Sequence, residues 1–513
     1  MKTKSVSSIP SLGIAASLAV MLGCPQTKPS QAWDVPAPMS LRTSGEKLNY
    51  SPLSSETVKV AVRRLEGKEK DIERAATHSW ALWMLLNEPL NQGGSLPSHH
   101  GDFPKWLTWC TQGDIFPSGP KPFCIEKEKS GLQARPENYW KSLVFRPKFT
   151  DQVNQVGQLN DLLTTHVSPV LAGDFQNMLT SLSKESKCIQ PVLLSGLTQC
   201  LSQVTNNNQE QANEWLSKAI RPEAMVIKAQ WARLRIDDSQ SSKSNLTAIV
   251  GIWEGAERSW GLDILKAGKG RLRWDTKMNV EIPNEVLKNS QCGSSPTQKA
   301  NLKTQELKMS RSTNSIDDFF YIQYCDKKWD GWPADAQLGD FFVLIGLHII
   351  TNLHPDGDWT WTTLYWHPDA PKDKNAKLNR LSKRSRLLQH ARPENLTTGW
   401  RSHYRLDLQY SKHEQIPPDP AGIKAIKLAK ESGTDLPCQL NEVPLTPPVA
   451  FNPYIEGQQQ CGGYSNCMSC HSHAAQNANG SAQQGVNRKF RNSSESKKTL
   501  FTHFLWGLAN QQI

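Results

Sequence analysis

Near its C-terminus the chain reads Cys467-Met468-Ser469-Cys470-His471. No other stretch restricts the fold as strongly, because it obliges two thiols and an imidazole to meet one rigid partner. Residues three and four apart share a face of a helical turn. Cys467 and Cys470 can therefore form thioethers to the two vinyl groups of one porphyrin, with His471 beneath the iron. C-x-x-C-H is the attachment signature of a c-type haem, and histidine is a usual proximal ligand. A zinc half-site would need a second ligand pair at suitable spacing, and the nearby extras are only Cys461 and His473. A thioredoxin-like dithiol would sit in a βαβ context, whereas these surroundings are polar and loop-like. One covalent haem c is the expected cofactor.

The first residues agree with this chemistry. Lys2 and Lys4 precede an apolar run from Leu12 to Leu22, far too short to span a bilayer. The pattern is a signal peptide over residues 1–32. Ser30-Gln31-Ala32 offers small residues for cleavage before Trp33. The alternative is a lipoprotein box at Met21-Leu22-Gly23-Cys24, imperfect at its first two positions, with Cys24 lipidated. A membrane tether is expected only in that case, and no transmembrane segment is expected. The expected location is periplasmic, because bacterial haem attachment takes place outside the inner membrane.

Eleven cysteines support the same compartment. After Cys24, Cys467 and Cys470 are set aside, eight remain: Cys110, Cys124, Cys188, Cys200, Cys292, Cys325, Cys438 and Cys461. An even remainder in an oxidising compartment points to disulfides. Nearest-neighbour pairing, Cys110–Cys124, Cys188–Cys200, Cys292–Cys325 and Cys438–Cys461, is one of 105 connectivities, about as many as eight cysteines allow. The formal charge of +11 is scattered, with a denser stretch at Lys383-Arg384-Ser385-Arg386. A solvated basic surface explains it. The sharper reading is a docking patch for an acidic redox partner. Export argues against nucleic acid as a partner.

A chain of 513 residues with 18 tryptophans can build a large core. Residues 56–90 read as helix, ending before Pro89, and residues 150–220 read as mostly helical. Strand signals follow at Met225–Leu234, Leu246–Trp253, Arg271–Ile282 and Asp318–Cys325. Phe341–Thr351 and Trp359–His367 are joined by turn chemistry at residues 352–358 and predict a β-hairpin. Residues 368–395 look like a surface excursion, 433–460 like a Pro-rich linker, and Leu500–Leu508 like a short helix. The expected architecture is α+β: a mixed body over 33–432, the linker, and a small helical haem-binding segment over 461–513.

Four stretches resemble a set of largely uncharacterised exported bacterial proteins known only as cytochrome c family proteins. They are His78-Ser79-Trp80 running to Leu86-Asn87-Glu88-Pro89, then Ile227–Trp231, then Gly346-Leu347-His348-Ile349-Ile350 with Trp359-Thr360-Trp361-Thr362-Thr363, and the haem motif with the Phe501–Ala509 tail. The family's Phe-Glu-His after the hairpin tryptophans is Tyr365-Trp366-His367 here, and its Asn-Trp-Pro is Asn87-Glu88-Pro89. The resemblance implies a large mixed α/β body with a C-terminal haem, and no settled reaction.

The position opposite His471 decides the chemistry: a second strong ligand makes an electron-transferring iron, and an open position permits catalysis. Only 42 residues follow His471 and none is methionine. Either a distal ligand comes from the body, or there is none. His348 leads the candidates, followed by His367, with His503, Met278 and Met309 behind. The expected function is a periplasmic monohaem c-type cytochrome transferring single electrons. The alternatives are a haem-dependent oxidoreductase, dehydrogenase or peroxidase-like, with a substrate site in the body, or a haem-containing sensor or binding module. No Walker loop, dinucleotide fingerprint or H-E-x-x-H supplies a second chemistry.

Overall fold

The structure is a computed structural model of the whole chain, and it describes residues 69–87, 104–111, 161–183, 218–221, 224–236, 245–253, 276–288, 308–323, 339–352, 359–373, 383–396, 399–409, 452–455, 475–476 and 500–501, with the single positions 200, 205, 211, 215 and 450. Residues 1–32, read as a signal, the C-x-x-C-H motif, most of the stretch read as linker and His503 lie outside the described residues.

Helices and sheets are both present, so the fold is α+β. The strands are β1 (Cys110–Thr111), β2 (Asp161–Val167), β3 (Met225–Arg233), β4 (Arg235–Ile236), β5 (Asn245–Ile252), β6 (Thr276–Pro283), β7 (Lys308–Ser315), β8 (Tyr321–Gln323), β9 (Phe341–Thr351), β10 (Thr360–Trp366), β11 (Tyr404–Gln409), β12 (Ala475–Gln476) and β13 (Leu500–Phe501). The helices are α1 (Glu69–Leu86), α2 (Pro169–Ser183), α3 (Asn284–Lys288) and α4 (Lys383–His390). A seven-stranded sheet runs β1-β2-β3-β9-β10-β11, with β8 also paired to β9. Its pairings are all antiparallel. A four-stranded sheet, β4-β5-β6-β7, is antiparallel except for the parallel β6–β7 pair.

The hairpin expected over 341–367 forms, with Thr363 opposite His348 and Tyr365 opposite Gly346. All eleven residues of β9 are buried, which is why it reads as a continuous apolar run rather than an alternating one. β9 serves three neighbours: β3 on one edge, and β10 and β8 in succession on the other.

Helix α1 buries Ala76, Trp80 and Trp83, spaced at three and four residues, and leaves Glu73 exposed. The Trp80 indole donates to the Leu388 carbonyl on α4 at 2.8 Å. Trp83 packs on Tyr404 with ring centroids 4.8 Å apart.

Four stretches depart from expectation. Asp161–Val167 is a strand, not helix, because its Thr-Thr-His-Val half pairs in full register with β3. It stops at Ser168-Pro169. The Ser168 hydroxyl accepts from Leu171 N and Met225 N, and Pro169 starts α2. The stretch read as a surface excursion carries α4, whose Leu388 and Gln389 are buried. In the same stretch the Arg405 guanidinium grips Asp373 in a buried bidentate pair at 2.5 and 3.1 Å. In the stretch read as linker, Ala450 and Asn452–Ile455 are buried against the body. Leu500–Phe501 pairs antiparallel with Ala475–Gln476 as strand rather than helix, since the neighbouring strand satisfies its backbone there.

Candidate functional site

Strand β10 divides its side chains by the period of two. Thr360, Thr362, Leu364 and Trp366 face the helix side. Ser79 of α1 bonds Thr362, oxygen to oxygen, at 2.8 Å. Next to them Tyr404 of β11 donates to the Leu344 carbonyl at 2.7 Å, and burial holds its hydroxyl pKa well above the usual value. Trp361, Thr363, Tyr365 and His367 face the other way, towards Trp253 and the 450–455 segment.

His348 is 2% exposed and stands opposite Thr363 on β10 and Lys228 on β3. Register continues this row outward to Thr165 on β2 and Asp407 on β11. The next row on this face is apolar: Val226, Ile350 and Trp361, all buried.

The tautomer of His348 follows from its partners. The Thr363 hydroxyl donates to the Ala450 carbonyl at 2.8 Å. Its single hydrogen is thereby used, so the His348 Nδ1 contact at 2.6 Å requires Nδ1–H as donor and Thr363 Oγ1 as acceptor. The ring lone pair then lies at Nε2. This is the arrangement typical of metal-ligating histidines, which donate their other ring N–H to a fixed partner.

His367 has the opposite assignment. Its Nδ1 accepts from the Asp369 backbone N–H at 3.0 Å, which places the proton on Nε2. A protonated Nε2 offers no lone pair. Met278 is fully buried on β6 opposite Val250, inside the main apolar core. Nothing is described of the Met309 side chain or of His503.

The 450–455 segment straps this face. Ala450 adopts φ 57°, in the left-handed region, at a cost of about 1–2 kcal/mol for a residue with a Cβ. Its carbonyl holds Thr363. Asn452 donates to the Leu364 carbonyl at 3.0 Å and accepts from Tyr454 N at 3.0 Å. Tyr454 donates its hydroxyl to the Trp366 carbonyl at 3.0 Å and accepts from Trp253 N at 3.3 Å. Gly346 makes room for the strap, since a Cβ there would meet both Asn452 amide atoms at 2.9 Å.

The hairpin motif located His348, but sequence reading did not locate the strap. Its signal was present: Asn452-Pro453-Tyr454-Ile455 puts an aromatic and an aliphatic side chain inside an otherwise polar, Pro-rich run. The basic stretch at Lys383–Arg386 is partly internal. Arg384 is 3.7 Å from Asp407 and donates to the Leu408 carbonyl at 2.6 Å, so it is not a docking charge.

Cys200 is disulfide-bonded. Among the described residues no three His, Cys, Asp or Glu side chains gather as a metal site, and no helix is long and apolar enough to cross a membrane. In comparisons with known proteins, no family model matches the chain, and no curated protein or solved structure matches it.

Proposed function

We propose that this chain is an exported monohaem c-type cytochrome, held to haem by Cys467 and Cys470 through thioethers and by His471 on the iron, and that it passes single electrons. The observation that carries the reading is the C-x-x-C-H motif itself. Its donor set fits the group: two thiols that add to vinyls and one imidazole that binds iron. The haem supplies a one-electron Fe(III)/Fe(II) couple. The protein supplies attachment, an apolar wall and a fixed axial environment.

The disulfide at Cys200 suits an oxidising compartment. Export through the signal at residues 1–32 would bring the chain there.

The test is covalent haem staining of the denatured, exported protein. Wild type is expected to stain on a denaturing gel, and Cys467→Ser/Cys470→Ser is expected to lose the stain. Stain that persists in the double variant refutes the assignment. An acidic redox partner is the proposed electron acceptor or donor, and a fall in electron-transfer rate with rising salt is its expected signature.

A further inference from the structure

We propose that α4 and the turn after it guard the edge of the seven-stranded sheet: Arg384, Gln389 and Arg392 occupy the outer backbone carbonyls of β11 and keep a second copy of this chain from adding its own β11 there.

The edge follows from strand geometry. Among the described residues β11 is the last strand of its sheet, with β10 on its inner side. In an antiparallel ladder the N–H and C=O of one residue point the same way, and successive residues alternate sides. The His403 carbonyl accepts from His367 N at 2.8 Å, so the odd-numbered residues turn towards β10. Tyr404, Leu406 and Leu408 therefore turn their backbone groups outward. A six-residue edge of this kind is a template for another strand.

All three outward carbonyls are taken by side chains. The Tyr404 carbonyl accepts from Arg392 at 2.6 Å, that of Leu406 from Gln389 at 3.0 Å and that of Leu408 from Arg384 at 2.6 Å. The outward N–H of Leu408 donates to the Asp407 carboxylate at 2.8 Å. Ala391 N–H donates to the Leu387 carbonyl and Arg392 N–H to that of Gln389, which carries the helical path on to Arg392. Rising numbers along this path meet falling numbers along β11, as in an antiparallel strand pair. The lengths match as well. The path from Arg384 to Arg392 rises about 12 Å, and the strand from Tyr404 to Leu408 about 14 Å. Helix α4 thus offers donors in the direction and at the spacing of a neighbouring strand. Burial of Leu388 alone would not require that register.

The edge itself defines what is kept out. Residues 404, 406 and 408 are symmetric about Leu406. A second β11 laid antiparallel across a twofold axis would pair Tyr404 with Leu408 and Leu406 with its own counterpart. Arg405 and Asp407 would then face each other with opposite charge. At the other end of the sheet, β1 is a strand of two residues, and so short an edge recruits poorly.

The experiment compares full-length wild type with Arg384→Met, Gln389→Met and the double variant, which keep side-chain bulk and lose the donors. Sedimentation velocity reads association, and hydrogen–deuterium exchange with mass spectrometry reads the β11 amides. The double variant is expected to stay folded by circular dichroism and to self-associate about tenfold more tightly than wild type, or more. Its residues 404–409 are expected to exchange more slowly at high protein concentration than at low. Arg384→Lys keeps a cationic donor and is expected to match wild type. Arg384→Met alone is expected to give a smaller rise in association, and it decides the question if the double variant unfolds. Association unchanged in every folded variant overturns the proposal. Association without slowed exchange over 404–409 overturns it too, because the contact then lies elsewhere. A wild type that already self-associates with slowed exchange at 404–409 removes the guard role.

Discussion

The two faces of β10 use the same residue types for different ends. On the helix face, Thr362 bonds Ser79, and Trp83, Tyr404 and Trp400 pack as a dense aromatic group. On the strap face, Thr363 bonds His348 and Ala450, and Tyr365 and His367 meet Trp253. Adjacent threonines in one strand thus enter opposite environments. The first face closes by helix packing. The second closes with a strap tied by side-chain hydrogen bonds to the carbonyls of Leu364 and Trp366. Polar groups on the first face hold the fold, while those on the second hold one imidazole.

The largest effect that separates the faces is expected at Arg392. It lies 4.9 Å over the Trp80 ring and donates to the carbonyls of Ala370, Ser402 and Tyr404. Arg392→Ala should cost about 3 kcal/mol or more in urea unfolding, because three buried acceptors lose a charged donor.

On the strap face, Gly346→Ala pushes a methyl into Asn452 and should cost about 1–3 kcal/mol. Combined with Asn452→Ala, the loss should be less than additive, since both act on one contact. Full additivity would break the picture of Gly346 as the place where the strap sits.

His78 titrates from the helix side. Burial pushes its pKa down from 6.5 to about 4. The unfolded chain takes up this proton first, so stability is full above about pH 6.5, falls as pH drops towards 4, and levels below. The gap between the two pKa values bounds the total at roughly 3 kcal/mol. His78→Gln should flatten that slope in unfolding measured from pH 4 to 7.

The smallest stability effect makes the sharpest distinction. Thr362→Val and Thr363→Val should each cost about 1 kcal/mol. Only the second should open the strap to proteolysis, because the Thr363 hydroxyl holds the Ala450 carbonyl. Equal cleavage rates in the two variants would erase the difference between the faces.

The hairpin was legible because an eleven-residue apolar run and a turn-rich connector leave few alternatives. Strand β2 was not, because Asp161–Val167 becomes a strand only by pairing with β3, more than fifty residues on. Helix α4 was hidden for a different reason. Its sequence KRSRLLQH is mostly basic and polar, and its burial depends on Arg384 and Gln389 finding the Leu408 and Leu406 carbonyls. At the candidate site, His348 was visible as a lone histidine in an apolar strand. Its tautomer was not visible, because that depends on Ala450, 102 positions away.

The strap also bears on how the chain can be divided. A fragment ending at residue 449 would leave the Thr363 hydroxyl without its carbonyl, uncover Gly346 and strip the Asn452 and Tyr454 donors from Leu364 and Trp366. A fragment that keeps this face covered therefore extends through Ile455. Any genetic exchange of the segment that follows must carry its junction beyond that point.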